Sequence, residues 1–236
     1  MDDDALESRI AELEHRLGVL EDVHAIRRLQ HLYAYFIDKC MYDEAVECFD
    51  DDCEVHLLGG IFRGIAGARR AYCDGFRSRF ADGKNGPVFG LLLDHPQMQD
   101  VVDVAPDRAT AKARFRLTMQ AGTHYERSVS TASATRQWWE GGVYENTYVK
   151  RDGIWKIGVL EYRSAWYGTF ENGWAFAPPD FVQQFETTFP EDPLGPDELE
   201  AQPPLCWPEH EVLPFHCVHP VTGRPISTPP PGRAVL

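Results

Sequence analysis

Asp38 stands at the end of a helical run, VHAIRRLQHLYAYFIDKC, whose Val23, Ile26, Leu29, Tyr33 and Phe36 share one broad apolar face. An acid there meets the negative end of the helix dipole, so it is either a surface residue of the last turn or a carboxylate kept for chemistry. His31 and Tyr35 fall on the same side of that helix as Asp38. Further along, His95 alternates with Leu91 and Leu93, and Tyr144 and Asn146 share a face of an aromatic strand that also carries Trp138. Glu161 and Arg163 continue the face of Trp155, Ile157 and Val159. A carboxylate or imidazole beside an apolar pocket has its pKa moved toward neutrality by desolvation and can take a proton at working pH. A tyrosine or asparagine donor opposite it stabilises the oxygen on which charge develops. Asp38, His95, Tyr144 and Asn146 are therefore the candidate catalytic set, with Asp38 or His95 as base. His31, Tyr35, Trp138, Glu161 and Arg163 are the candidate substrate contacts. Each of the four also has a structural reading: Asp38 as a backbone cap, His95 before Pro96 as the partner of a strand end, Tyr144 and Asn146 as packed, hydrogen-bonded groups. Elimination, retro-aldol cleavage or proton shuttling at such a site needs no cofactor.

The elements that must position these groups centre on residues 141–162, GGVYENTYVKRDGIWKIGVLEY. They predict two long antiparallel strands joined at Arg151-Asp152-Gly153, because Asp-Gly supplies the positive φ of a tight hairpin. The apolar face of that hairpin needs a cover, and a helix over residues 21–39 is the best one available. Ahead of it, Leu6, Ile10, Leu13, Leu17 and Leu20 follow the spacing of a coiled-coil seam, which packs either on the chain's own body or on a second copy. Next come a short helix over residues 43–49 ended by an Asp50-Asp51-Asp52 turn, a strand over 53–58, a turn at Gly59-Gly60 and a helix over 65–80. Strands follow over residues 88–105, bent at Pro96, and over 109–121, where Ala111, Ala113, Phe115, Leu117 and Met119 share the inner face. A strand over 131–150 leads into the hairpin, with a bulge or a close backbone approach expected at Gly141-Gly142. The order is α+β. Fourteen of the seventeen prolines lie between Pro178 and Pro231, yet Phe181, Phe185, Phe189, Trp207 and Phe215 anchor that stretch, so it reads as an ordered arm. The expected division is a helical extension over residues 1–21, a domain over 22–176 and a Pro-rich arm over 177–236.

Composition removes several functions. The net charge of −14 sits at the two ends, and such a surface makes nucleic acid and anionic membrane poor partners. No run is long enough to cross a bilayer and the acidic start MDDDALES has no export pattern, so a cytoplasmic location is expected. Six cysteines without a CxxC pair read as free thiols. His56, His95 and His124 lack metal-site spacing, and His210, His216 and His219 are scattered among prolines, so no metal is expected. Neither GxxxxGK[ST] nor a strand-GxGxxG-helix is present, which speaks against nucleotides.

LYAYFIDKCMYDEAVECFDDDCEV and the hairpin GGVYENTYVKRDGIWKIGVLEY, in this order of elements, resemble the SnoaL-like branch of the nuclear transport factor 2-like superfamily, which includes scytalone dehydratase, ketosteroid isomerase and polyketide cyclases. The resemblance covers about residues 22–167. It implies a cone-shaped, curved antiparallel or mixed sheet, an α+β barrel, with N-terminal helices over its open side and an apolar cavity between them. It also implies a catalytic role for Asp38, which stands in the Asp-x-x-x-Tyr-Asp context of the dehydratase aspartate, here with Tyr42 and Asp43. The dehydratase serine and asparagine fall on Gly142 and Tyr144 and its two histidines near Leu91 and Met119, so identical machinery is not expected. The family also contains lyases that release formaldehyde, with loss of water, from two-ring lignin-derived diols, and the long Pro-rich extension looks similar to that group. The expected function is a cofactor-independent lyase, cleaving carbon–carbon or carbon–oxygen bonds of a hydrophobic aromatic small molecule such as a diaryl diol. A ketosteroid-type isomerase or polyketide cyclase, and a non-catalytic ligand-binding protein, are the alternatives. A homo-oligomer, dimer or trimer, is expected, with the arm closing its own or a neighbour's pocket.

Overall fold

The computed structural model describes residues 3–127, 136–176, 185–201 and 205–232. Its first element is one unbroken helix, α1 (Asp3–Asp38), where two were expected. The halves of α1 bury differently: Asp22, Ile26, Gln30, Tyr33 and Ala34 are buried, whereas Leu6, Ile10, Leu13, Leu17 and Leu20 remain between 44 and 61 % exposed. The seam therefore has no cover from the described part of its own chain. No described helix is long and apolar enough to cross a membrane.

After α2 (Tyr42–Glu47), β1 (Phe49–Leu57) and β2 (Gly60–Arg63) form a hairpin. Asp50, Asp51 and Asp52 lie within β1 rather than in a turn, because Asp50 is buried against Arg151, whose Nε and Nη2 donate to its two oxygens at 3.1 Å. A helical stretch runs through α3 (Gly64–Arg69), a wider π-helical segment (Arg70–Phe76) and α4 (Arg77–Phe80). The π-helical segment carries the buried Tyr72, whose hydroxyl lies 2.7 Å from that of Tyr33 on α1.

The remaining strands are β3 (Leu91–Asp94), β4 (Gln97–Val104), β5 (Thr110–Thr123), β6 (Gln137–Arg151), β7 (Ile154–Thr169) and the short β8 (Glu198–Leu199). They join β1 and β2 in an eight-stranded sheet of order β3-β5-β6-β7-β1-β2-β8, with β4 also paired to β5. Only the β1–β7 pair is parallel among these ladders. The β6–β7 hairpin closes as its Asp-Gly demands, with φ of 50° at Asp152 and 82° at Gly153.

Ala111, Ala113, Phe115, Leu117 and Met119 are buried on the inner face, opposite Tyr148, Asn146, Tyr144, Gly142 and Glu140 of β6. Phe115 is fully buried, and its truncation to alanine would remove about 3–5 kcal/mol. The space under α1 is not the open apolar hollow that was expected. The Tyr33 ring stands edge-on to Phe49, Tyr72 and Tyr144, with centroids 5.9, 6.2 and 6.4 Å away. Those rings fill the middle of the cone and leave polar groups to gather at the end of the helix.

The described part of the Pro-rich arm packs on the body. β8 extends the sheet at β2, Phe185 sets its ring edge-on to Phe62 at 5.6 Å, and Trp207 donates its backbone N–H to Ala165 on β7 at 2.8 Å.

Candidate active site

The last turn of α1 delivers Asp38, and the link between β3 and β4 delivers His95. Pairing of Leu93 with Ala121 on β5 holds that link in place, and Cys40, at φ 54°, turns the chain away behind Asp38. One oxygen of Asp38 accepts both the His95 backbone N–H, at 2.9 Å, and His95 Nδ1, at 2.7 Å. A carboxylate only accepts, so a ring hydrogen sits on Nδ1, and in the neutral form of the imidazole the lone pair is on Nε2. No described residue bonds Nε2. The two side chains are only 10 and 12 % exposed, so the pair is shielded but reachable.

Across the sheet Glu140 projects from the inner face of β6 opposite Met119. Burial pushes its carboxyl pKa up, against the opposing pull of the Tyr162 hydroxyl, His95 and Ser164. Tyr162 donates to Glu140 at 2.8 Å. Tyr144, buried, lies with its ring centre 5.0 Å from that of Tyr162, and burial raises the pKa of both phenols so that they remain hydrogen-bond donors. Trp138, two residues before Glu140 on the same face, is half-buried opposite Ala121. Gly141 and Gly142 mark a register shift as expected; a Cβ on Gly141 would collide with the Trp166 indole.

The structure thus brings Asp38, His95, Tyr144 and Trp138 to one region and adds Glu140, Tyr162 and Ser164. The other expected residues lie elsewhere. Asn146 is 1 % exposed and fully engaged: Nδ2 donates to Gln30 Oε1 at 3.0 Å and to the Tyr148 hydroxyl at 3.2 Å, and Oδ1 accepts the Glu161 N–H at 3.1 Å. Tyr35 is 67 % exposed, because a two-residue step from the buried Tyr33 turns it to the opposite side of α1. His31 is exposed too, its ring edge-on to Phe115 at 6.0 Å.

Glu161 and Arg163 point to the outer face, a correction with a local cause. Tyr148 pairs with Ile157 but Thr147 pairs with Val159, so Gly158 is an unpaired extra residue that reverses the alternation of β7. Leu160, Tyr162 and Ser164 take the inner face, while Arg163 bonds Glu161 at 2.8 Å and Glu200 of the arm at 3.3 Å.

Two clefts are centred away from the Asp38–His95 pair, the first touching the region only at Ser164. One of about 220 Å³ sits between the outer face and the arm, with Arg114, Arg163 and His210 in its wall, and one of about 320 Å³ is lined by Asp82, Phe89 and Arg127. The one group among the described residues with metal-ligating geometry, Asp103, His216 and Cys217, is also distant from the Asp38–His95 pair, on the β4 and arm side.

A curled mixed sheet closed by one long helix is the arrangement of the nuclear transport factor 2-like class. The SnoaL-like domain model matches residues 18–161, more than half of the chain, and the chain belongs to that family. No curated protein matches it. Among solved structures it is similar to LinA, with a TM-score of 0.54 and 17 % identity over 70 % of this chain and 99 % of that one. The hexachlorocyclohexane dehydrochlorinase LinA-type3 from Novosphingobium barchaimii LL02 gives 0.53 and 19 % over 70 % and 99 %. A candidate scytalone dehydratase from Novosphingobium aromaticivorans DSM 12444 gives 0.49 and 21 % over 64 % and 89 %. The first two likenesses show a shared fold.

Proposed function

We propose that the chain is a cofactor-independent lyase that expels water from a hydrophobic aromatic small molecule, with His95 as base and Glu140 as acid. The observation that carries this reading is the two-point contact of Asp38 with His95 facing a carboxyl whose pKa is raised by burial. Asp38 fixes the ring and stabilises the imidazolium that forms when Nε2 takes a proton. Glu140, in the protonated form that burial favours, gives its proton to the departing hydroxyl, which leaves as water. Tyr144 and Tyr162 donate to oxygens on the substrate or on Glu140, and Trp138 offers a ring face.

The finer substrate assignment is a two-ring diol with a terminal hydroxymethyl group. His95 would take the hydroxymethyl O–H proton, the carbon–carbon bond would break to release formaldehyde, and its electrons would form a double bond as the second hydroxyl leaves with the Glu140 proton. The products are a diaryl alkene, formaldehyde and water. The dehydrochlorinases that share the fold are, by name, elimination enzymes as well. The test is incubation of the full chain with diaryl diols, steroids and polyketides, without added cofactor, followed by mass analysis. Loss of water, or of water and formaldehyde, supports the lyase. Unchanged mass with an altered spectrum assigns an isomerase, and tight binding without turnover assigns a binding protein.

A further inference from the structure

Residues 213–217 of the arm are clamped to the outer face of the sheet. Arg114 of β5 donates to the carbonyls of Leu213 at 3.2 Å and Pro214 at 2.8 Å, and its guanidinium carbon lies 4.2 Å from the centre of the Phe215 ring. Arg114 also pairs with Glu145, and Glu145 in turn meets His216 Nδ1 at 3.2 Å. His216 is only 6 % exposed, and its Nε2 is buried without a hydrogen-bond partner although Asp103 Oδ2 of β4 is 3.2 Å away. The thiol of Cys217 completes the group: one donor atom from each of Asp103, His216 and Cys217 lies within 4.8 Å of the others.

We infer that Asp103, His216 and Cys217 form a binding site for a zinc-like divalent transition-metal ion that fastens the arm to β4. Glu145 at Nδ1 holds the hydrogen there and turns the Nε2 lone pair toward the other two donors, the carboxylate–histidine–metal arrangement that orients metal ligands. An imidazole lone pair and a carboxylate oxygen facing each other at 3.2 Å repel unless a positive charge lies between them. A mixed nitrogen, sulfur and oxygen set selects zinc or its neighbours over magnesium or calcium, which take oxygen ligands. Zinc bonds of about 2.0–2.3 Å bring tetrahedral donors to roughly 3.5 Å of one another. Rotation of the exposed Asp103 and the part-exposed Cys217 closes that difference. Water fills the fourth position, and Cys217 gives up its thiol proton to solvent on binding.

The experiment is a titration of chelator-stripped full-length protein with Co²⁺, followed by displacement with Zn²⁺. One equivalent of Co²⁺ with a thiolate-to-cobalt charge-transfer band, bleached by Zn²⁺, is expected. Cys217→Ser should abolish the band, and Asp103→Asn, at an exposed position, should weaken binding at least about tenfold. Cys206→Ser should change neither. The rival arrangement is an imidazolium of His216 held between Glu145 and Asp103 with no metal. That arrangement is established instead if no saturable binding is seen below about 1 mM, or if the band survives in Cys217→Ser. These readouts do not involve turnover, so they stand or fall apart from the lyase assignment.

Discussion

A single carboxylate oxygen of Asp38 accepts both the backbone N–H and the ring Nδ1–H of His95, at 2.9 and 2.7 Å. Two bonds to one atom fix the ring's position and tautomer together, and the negative charge beside the ring would stabilise the imidazolium formed when Nε2 takes a substrate proton. Asp38→Asn keeps the size and removes the charge. The kcat should fall about 10²–10⁴-fold with an unchanged melting temperature. Activity within a factor of about three of wild type would remove Asp38 from the mechanism.

Glu140 must be protonated to act as the acid, and burial raises its pKa in that direction. The rate should decline on the alkaline side as pH climbs through that raised pKa. Glu140→Gln should lose both the alkaline decline and most of kcat, about 10²–10⁴-fold. A wild-type alkaline limb persisting in the variant would assign the titration to another group.

Asp22 is the counterpart of this pair for stability. Burial pushes its pKa up, but hydrogen bonds from Arg108 at 2.6 Å, from Lys150, and from the Trp155 indole at 2.9 Å outweigh that effect and bring it down to about 2. A carboxyl whose folded pKa lies below its unfolded value of about 3.9 stabilises the fold above that pH. The contribution fades as pH falls toward about 2. Asp22→Ala should cost about 3 kcal/mol at neutral pH by leaving Lys150 and Trp155 unpaired. Denaturant unfolding at pH 6 and pH 2 should show the gap between wild type and variant shrinking in acid, and a pH-independent gap would contradict this account.

The stripe Leu6, Ile10, Leu13, Leu17 and Leu20 carries the a/d spacing that an identical helix can interlock with, and it is exposed on the single chain. We propose a second copy of α1 as its occupant. The double variant Leu13→Asp, Leu17→Asp should sediment as a smaller species than wild type. Equal sedimentation of the two proteins would place the subunit contact elsewhere or remove it.

How far the fold and site were readable from sequence follows from what each feature depends on. The Asp152-Gly153 hairpin, the inner face of β5 and the isolation of Asp38 at a helix end are local patterns, and local patterns survive folding. Period-two counting failed for Glu161 and Arg163 because one unpaired glycine, Gly158, inverts the residues that follow it up to Ser164. Glu140 escaped notice although it shares parity with Tyr144, since a charged residue in a strand reads as solvent-facing until its partner Tyr162 is in view. Asp50 looked like part of a turn because the Arg151 that neutralises it is remote in sequence. Asp103 and His216 meet only through the path of the arm, which no spacing rule encodes.

The most direct measurement is product formation from a hydroxylated diaryl substrate, without added cofactor, by wild type and by His95→Gln of verified fold. The account predicts an alkene with matching release of water or of water and formaldehyde from wild type, and a loss of about 10²–10⁴ in kcat for the variant. Equal turnover by the two proteins, or no turnover of any such substrate by wild type, would contradict it.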